Sequence, residues 1–182
     1  HKLLAACMFL FVSLTTNIKA QTKQIPFFIG INPGITVESF YAKGELDVSI
    51  FPIVFQRPLS KRIDIRFTSI VNLGIRNAGN QISHLGIEAA LPVFLKQKET
   101  RSNYSSGFFA APVISYTTNR IEQHQNIGVW LEPGYHLLFN NAVAMSFGLQ
   151  VGGTYFHYKN GATKWGNHFG AKIIIGKWFG KK

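Results

Sequence analysis

The chain is poor in three things. It has one cysteine, Cys7, and only 8 acidic residues against 19 lysines and arginines in 182 residues. It also lacks any run of the roughly 18 consecutive apolar residues that a membrane-spanning helix needs. A single cysteine excludes an internal disulfide framework and any site built from several thiolates. The shortage of acid leaves a formal net charge of +11, which asks where that charge sits. The missing apolar run is the more telling absence, because the chain is nonetheless 46% hydrophobic and contains 16 phenylalanines. Its apolar residues are dispersed in short alternating segments.

The clearest of these is Val143 to Tyr158. Val143, Met145, Phe147, Leu149 and Val151 alternate with Ala144, Ser146, Gly148, Gln150 and Gly152. A period of two marks a strand with an apolar and a polar face. The polar face carries small uncharged residues where a water-facing strand would carry Lys, Glu and Arg. Small residues suit a cramped interior, so the apolar face is read as the outside. That is the pattern of a membrane-spanning β-barrel.

The first twenty residues read differently. His1-Lys2, the apolar stretch Leu3–Leu14 and the segment ending at Ala20 have the layout of a secretory signal peptide, with cleavage expected after Ala20. Leu4-Ala5-Ala6-Cys7 has the form of a lipobox, but the apolar run continues past Cys7 to Leu14. The domain division is therefore 1–20 as signal peptide and 21–182 as barrel. Without Lys2 and Lys19 the remainder holds 17 basic and 8 acidic residues, net +9, and no cysteine.

Seven further segments show the same dyad: Phe27–Glu38, Glu45–Arg57, Arg62–Arg76, His84–Leu95, Gly107–Thr117, Asn126–Phe139 and Trp165–Phe179. Each is long enough for the 9–11 residues of a tilted transmembrane strand. The expected fold is an all-β, eight-stranded antiparallel up-and-down transmembrane barrel. Outward faces are expected to include Leu46, Val48, Ile50 and Val54 in the second segment, with Phe51 inward. Pro33, Pro52, Pro92, Pro112 and Pro133 recur at about twenty residues, or forty where Asn72 stands between. Proline cannot donate to a ladder, so these positions require bulges or local breaks.

With the N-terminus on the inner side, the outer loops are Ser39–Gly44, Asn77–Ser83, Thr118–Gln125 and Lys159–Lys164. The inner turns are Pro58–Lys61, Lys96–Ser106 and the tight Asn140-Asn141. Basic residues gather at the inner end: Lys23, Arg57, Lys61, Arg62, Lys96, Lys98, Arg101, Lys177, Lys181 and Lys182, against Glu99. Anionic lipid headgroups at the periplasmic rim are the expected partner of that charge. Nucleic acid is not, because the basic residues form no stripe interleaved with stacking aromatics. Phe27, Phe28, Tyr41, Tyr155, Phe156, Tyr158, Trp165, Trp178 and Phe179 fall near strand ends and read as interfacial girdles.

Leader, strand number, dyad pattern and the last strand's Gly176-Lys177-Trp178-Phe179 together resemble the small eight-stranded outer-membrane barrels of the OmpA/OmpX-like kind. The resemblance covers about residues 25–179. It implies a bacterial outer-membrane location. The chain departs from the family pattern in continuing through Gly180-Lys181-Lys182 after the closing aromatic.

In such a barrel side chains fill the lumen. Those projecting inward should include Arg62, Asp64, Arg66, Glu88, Glu132, His136, His168 and Lys172. Arg66, Glu88, Glu132 and Lys172 are expected near mid-height as a mutually neutralised ion-pair network, since an unpaired buried charge costs several kcal/mol. No catalytic, cofactor-binding or metal site is assigned. The expected role is non-enzymatic: envelope structure, or contact with a protein partner through the outer loops. Three alternatives compete. An acyl hydrolase would need a hydroxyl beside one of His84, His124, His157 or His168. A metal site would need His124, His157 and His168 to meet. A soluble lipocalin-like barrel would turn the faces inside out.

Overall fold

A computed structural model describes residues 25–36, 42–96 and 104–180. The expected leader, the Cys7 lipobox, Tyr41, Lys98, Arg101 and the last two lysines lie outside the described residues. The strands are β1 (Phe27–Ile31), β2 (Ile35–Thr36), β3 (Leu46–Ser49), β4 (Ile53–Pro58), β5 (Asp64–Ile75), β6 (Gln81–Ala90), β7 (Val93–Phe94), β8 (Gly107–Asn119), β9 (His124–Leu138), β10 (Val143–Tyr158) and β11 (Thr163–Phe179). The pairs β1/β2, β3/β4 and β6/β7 are each one wall interrupted partway, so eight walls form a closed antiparallel barrel. Closure comes from β1 meeting β11, Phe27 opposite Phe179 through Ile31 opposite Ile175. Among the described residues that seam is five residue pairs long, whereas β10 and β11 pair over fifteen.

The interruptions follow the prolines. Pro33 lies between β1 and β2, Pro52 between β3 and β4, and Pro92 between β6 and β7. Pro112 and Pro133 lie inside continuous strands, but each at a defect in a ladder. The Pro112 carbonyl accepts from Leu91 N–H at 3.1 Å. In an antiparallel ladder a residue's N–H side and C=O side face the same neighbour, so the missing donor of Pro112 faces the break at Leu91-Pro92. Pairing of β9 with β10 stops at Gly134 and resumes at Leu131, skipping Pro133. The prolines thus collect the lost hydrogen bonds in one belt around the barrel.

At Pro52 the break also changes the face. Inward residues are Asp47 and Ser49 before it but Val54 and Gln56 after it. One extra residue enters the wall, seen as a register change against β5 from Val48 opposite Leu73 to Val54 opposite Thr68. The expectation for this segment is therefore corrected: Val54 is fully buried in the lumen, and Phe51 is exposed. Ser69 repairs the break. Its hydroxyl donates to the Phe51 carbonyl at 2.6 Å and accepts from Ile53 N–H at 2.9 Å.

Apart from a bulge in β6 at Ser83, the alternation holds elsewhere. Ile29, Phe55, Phe67, Ile87, Ile114, Leu131, Leu149 and Ile173, one from each wall, are exposed on the outer surface. Their neighbours Phe28, Gln56, Arg66, Glu88, Ser115, Glu132, Gln150 and Lys172 are buried in the lumen. Four aromatics expected in the girdles turn inward instead, two at each end: Phe156 and Tyr158 pack edge-on against buried His124 at the loop end, with centroids 5.4 and 5.1 Å away. Phe28 and Trp178 pack in the lumen near the end of the barrel where the chain termini lie, with Val54, Ala144, Ile174 and Tyr104. Phe27, Phe55 and Phe179 remain outside and stack on one another, with centroids 6.2 and 5.4 Å apart. Tyr155 and Trp165 form a similar outer pair near the loop end, 6.0 Å apart.

The turns depart from expectation in two places. The β9–β10 connection is a short 3-10 turn, Asn140–Ala142, closed by Phe139 N–H donating to the Val143 carbonyl at 2.8 Å. Asn141 and Ala142 both have positive φ, 62° and 64°, so it is longer than a two-residue Asn-Asn hairpin. The end of the long β7–β8 connection turns into the barrel. Tyr104 stacks on Trp178 at 5.5 Å and donates its hydroxyl to the Gly180 carbonyl at 3.0 Å. Ser105 donates to buried Asp64 at 2.6 Å. This connection therefore caps the terminal end of the lumen.

Candidate functional site: the lumen

The alternation that greases the outside sends every inward polar residue to the barrel axis. Arg66 from β5, Glu88 from β6, Glu132 from β9 and Lys172 from β11 meet there, none more than 6% exposed. Arg66 donates to Glu132 Oε1 at 2.7 Å and lies 4.0 Å from Glu88. Lys172 contacts Glu88 closely and approaches Glu132 at 3.4 Å. Two cations and two anions thus form a square with every edge occupied. Gln150 donates to Glu132 Oε2 at 3.0 Å and to Glu88 Oε2 at 3.4 Å. The Arg66 guanidinium also lies over the Phe109 ring, 5.9 Å from its centroid. Gly148 makes room for the square, because a Cβ there would stand 2.9 Å from the Glu132 carboxylate. Arg62, also expected inward, is exposed at the terminal end.

Below this layer, toward the termini, the lumen is closed by the aromatic groups just described. Phe94 and Phe109 pack at 5.6 Å among Ala90, Ala111 and Val113. Above it, toward the loops, the lumen is open. A cavity of about 560 Å³ is lined by the network's Glu88, Gln150 and Lys172 at its floor and by hydroxyl and amide side chains on its walls. Among those walls are Ser49, Thr68, Asn72, Ser115, Thr117 and Asn126.

The histidines fall into distinct settings. His84 pairs with Asn72 and follows Ser83, the extra residue of a bulge in β6. Its Nδ1 is 3.1 Å from Asp47 Oδ2, and its Nε2 is 3.1 Å from Asn119 Nδ2. Asn119 Oδ1 accepts from the backbone N–H groups of Ile121 and Glu122, both at 2.9 Å. The Asn119 amide is therefore oriented to donate to His84, whose proton rests on Nδ1 and points at Asp47. Asp47 also accepts from Arg76 at 2.8 Å. His168 stacks on Trp130, 4.1 Å between centroids and 15° between planes, and contacts Gln150 Oε1 at 3.2 Å.

One of the candidate histidines does have a hydroxyl beside it: Ser83 Oγ lies 3.3 Å from His84 Nδ1, but that nitrogen carries the proton aimed at Asp47 and so is no base toward Ser83, whose hydroxyl donates to the Asn72 carbonyl at 3.2 Å. A second hydroxyl–histidine pair lies deeper, at a histidine outside that candidate set. Register sets His136 of β9 opposite Ser146 of β10, and His136 Nδ1 hydrogen-bonds Ser146 Oγ. The signal was available in principle, since both residues lie on inward faces of one hairpin. The chemistry is nonetheless wrong for a nucleophile. Trp178 Nε1–H, which can only donate, is 3.3 Å from His136 Nε2. The neutral ring must then carry its proton on Nδ1 and donate it to Ser146, the reverse of what a general base does. Both residues are buried, at 1% and 4% exposure.

Among the described residues no three His, Cys, Asp or Glu side chains group as metal ligands. No family model matches the chain, and neither a curated protein nor a solved structure matches it significantly.

Proposed function

We propose that this chain spans the bacterial outer membrane as an OmpA/OmpX-like eight-stranded barrel and serves a non-enzymatic role in the cell envelope. That role is structural, or lies in contact with a partner. The observation that carries the reading is the distribution of polarity: apolar residues exposed on all eight walls, charge enclosed within. Water-soluble proteins rarely leave apolar surface contiguous over such an area, and a soluble ligand-binding barrel would place the same residues inside. The exposed Arg57, Lys61, Arg62, Lys96 and Lys177 at the terminal end suit a surface of anionic headgroups, at roughly 1 kcal/mol per charge. The salt-bridged layer and the aromatic cap below it stand across the axis among the described residues, which favours a filled lumen over a channel. The tautomer imposed on His136 argues against acyl transfer at Ser146.

The test is fractionation. The protein should stay with carbonate-washed membranes, leave them only in detergent, and migrate faster on a gel unboiled than boiled. Recovery from the periplasmic fraction without detergent, with no heat-dependent shift, would end this reading.

A further inference from the structure

The apolar outer faces of β8, β9 and β10 stop in step. Register sets Tyr116 opposite Ile127 and Ile127 opposite Tyr155. Tyr116 and Ile127 are 46% and 45% exposed, and Tyr155 adjoins exposed Trp165 of β11, with ring centroids 6.0 Å apart. Outward residues recur at every second position. The next ones toward the loops are Thr118, Gln125 and His157, again opposite one another. Two positions further, just past the ends of the three strands, come Arg120, Gln123 and Lys159, all exposed. On these three walls the surface thus passes from apolar to polar, and then on β8 and β10 to cationic.

Those polar and cationic residues share one cleft of about 410 Å³. Its frame is braced by backbone hydrogen bonds. Lys159 N–H donates to the Gln123 carbonyl at 3.1 Å, which ties the end of β10 to the β8–β9 turn. Within that turn Asn119 Oδ1 holds the N–H groups of Ile121 and Glu122, both at 2.9 Å. Arg120 and Lys159 stand two strand spacings apart, about 10 Å at the backbone, so their long side chains can bracket one small anion. The acids are engaged elsewhere. Glu122, in the same turn, faces inward to His124 Nε2 at 3.6 Å. Glu45 and Asp47 face Arg76, and Glu88 and Glu132 are buried in the lumen. Among the described residues neither Arg120 nor Lys159 has an acid as ion-pair partner.

We propose that this cleft holds the phosphate of a lipid in the loop-side leaflet, with a phosphomonoester as the preferred head; the inference rests on the membrane reading. Arg120 offers a guanidinium fork and Lys159 a point charge to the phosphate oxygens. The Thr118 hydroxyl and the Gln125 amide donate from below. The acyl chains lie against Tyr116, Ile127 and Tyr155. A zwitterionic head is disfavoured, because its ammonium group meets the same two cations and no acid.

The experiment uses the full barrel in phosphatidylcholine nanodiscs, with Trp165 fluorescence as reporter. Trp165 is 63% exposed beside the cleft, whereas the other two tryptophans, Trp130 and Trp178, are buried in the lumen. Phosphatidic acid brominated on its acyl chains near the head is added, beside equally brominated phosphatidylcholine and phosphatidylglycerol. The inference expects phosphatidic acid to quench Trp165 at a mole fraction at least about fivefold lower than either comparison lipid. The preference should vanish in Arg120→Gln with Lys159→Gln and persist in Arg57→Gln with Lys177→Gln, at the opposite rim. Heat-dependent gel migration checks that both variants are folded. Parity of the three lipids overturns the inference, as does a preference that survives in the Arg120→Gln, Lys159→Gln variant. Equal quenching by phosphatidylglycerol overturns the phosphomonoester, and displacement by equimolar inorganic phosphate overturns the lipid as occupant. Failure to insert into nanodiscs would instead defeat the membrane reading itself; insertion with parity defeats only this inference.

Discussion

Arg66 and Glu132 stand 66 positions apart in the chain and 2.7 Å apart across the barrel axis, each about 1% exposed. The pair joins β5 to β9, which are not neighbours in the wall. It therefore ties opposite sides of the lumen in a way that no ladder does. Removing one partner, as in Arg66→Ala or Glu132→Ala, should cost about 3–5 kcal/mol by stranding the other charge. Replacing both, as Arg66→Met with Glu132→Leu, should cost far less, because Lys172 and Glu88 still neutralise each other. Urea unfolding of vesicle-embedded protein, read as a double-mutant cycle, checks the coupling; additive costs would refute it.

Ser69 supplies the hydrogen bonds that the Pro52 break removes. Ser69→Ala should destabilise the barrel by about 1–3 kcal/mol, the range for a backbone group left unsatisfied. The Ile53 amide should exchange with solvent faster in that variant, while amides of β10 should not. Unchanged exchange at Ile53 would show that water replaces the hydroxyl without loss.

Gly128 exists where a side chain would collide. A Cβ there would lie 1.9 Å from Trp130 Cζ3 and 2.6 Å from Ser115 Oγ. Gly128→Ala should therefore displace the Trp130 ring from His168 at a cost of about 1–3 kcal/mol. Near-ultraviolet circular dichroism should change with the loss of that stack. An unchanged spectrum would mean that the backbone gives way in place of the ring.

Tyr104 caps the terminal end but is not the deepest barrier. Tyr104→Ala should leave planar bilayers without conductance steps, since the layer of Arg66, Glu88, Glu132 and Lys172 still blocks the axis. Tyr104→Phe should cost only about 1 kcal/mol, one hydrogen bond to Gly180. Steps in Tyr104→Ala would show that the salt-bridged layer passes ions.

Ser146 should resist a fluorophosphonate probe, because His136 donates to it and both are buried. Labelling that is lost in Ser146→Ala would restore an acyl-transfer role.

How legible all this was depended on contrast between adjacent residues. Val143–Tyr158 alternates cleanly between bulky apolar and small or polar residues, and its bounds in the fold are the same. Ile50 to Phe55 offers no contrast, being apolar throughout except for Pro52. The face change there left no trace in the pattern, which is why Val54 and Phe51 were expected on the wrong sides. Trp178 and Phe28 misled for a related reason. An aromatic near a strand end satisfies either an interface or a plug, and only parity with Phe179 and Phe27 separates the two. The four central charges were legible because parity alone puts each of them on the inward row of its strand. That they neutralise one another follows from the cost of an unpaired buried charge; which acid meets which cation does not, since pairing across the axis depends on the stagger of strands far apart in sequence. The cavity depends on how the loopward halves of strands far apart in sequence are spaced, and local periodicity carries no such information.

The five-pair junction between β1 and β11 has a mechanical corollary. Held by its two chain ends and stretched, the cylinder should part first along that short junction and peel open as a flat ribbon, long before the fifteen-pair hairpin of β10 and β11 yields. In biogenesis the same asymmetry runs backward: the hairpins zip early, and the ring is sealed last by its briefest stitch.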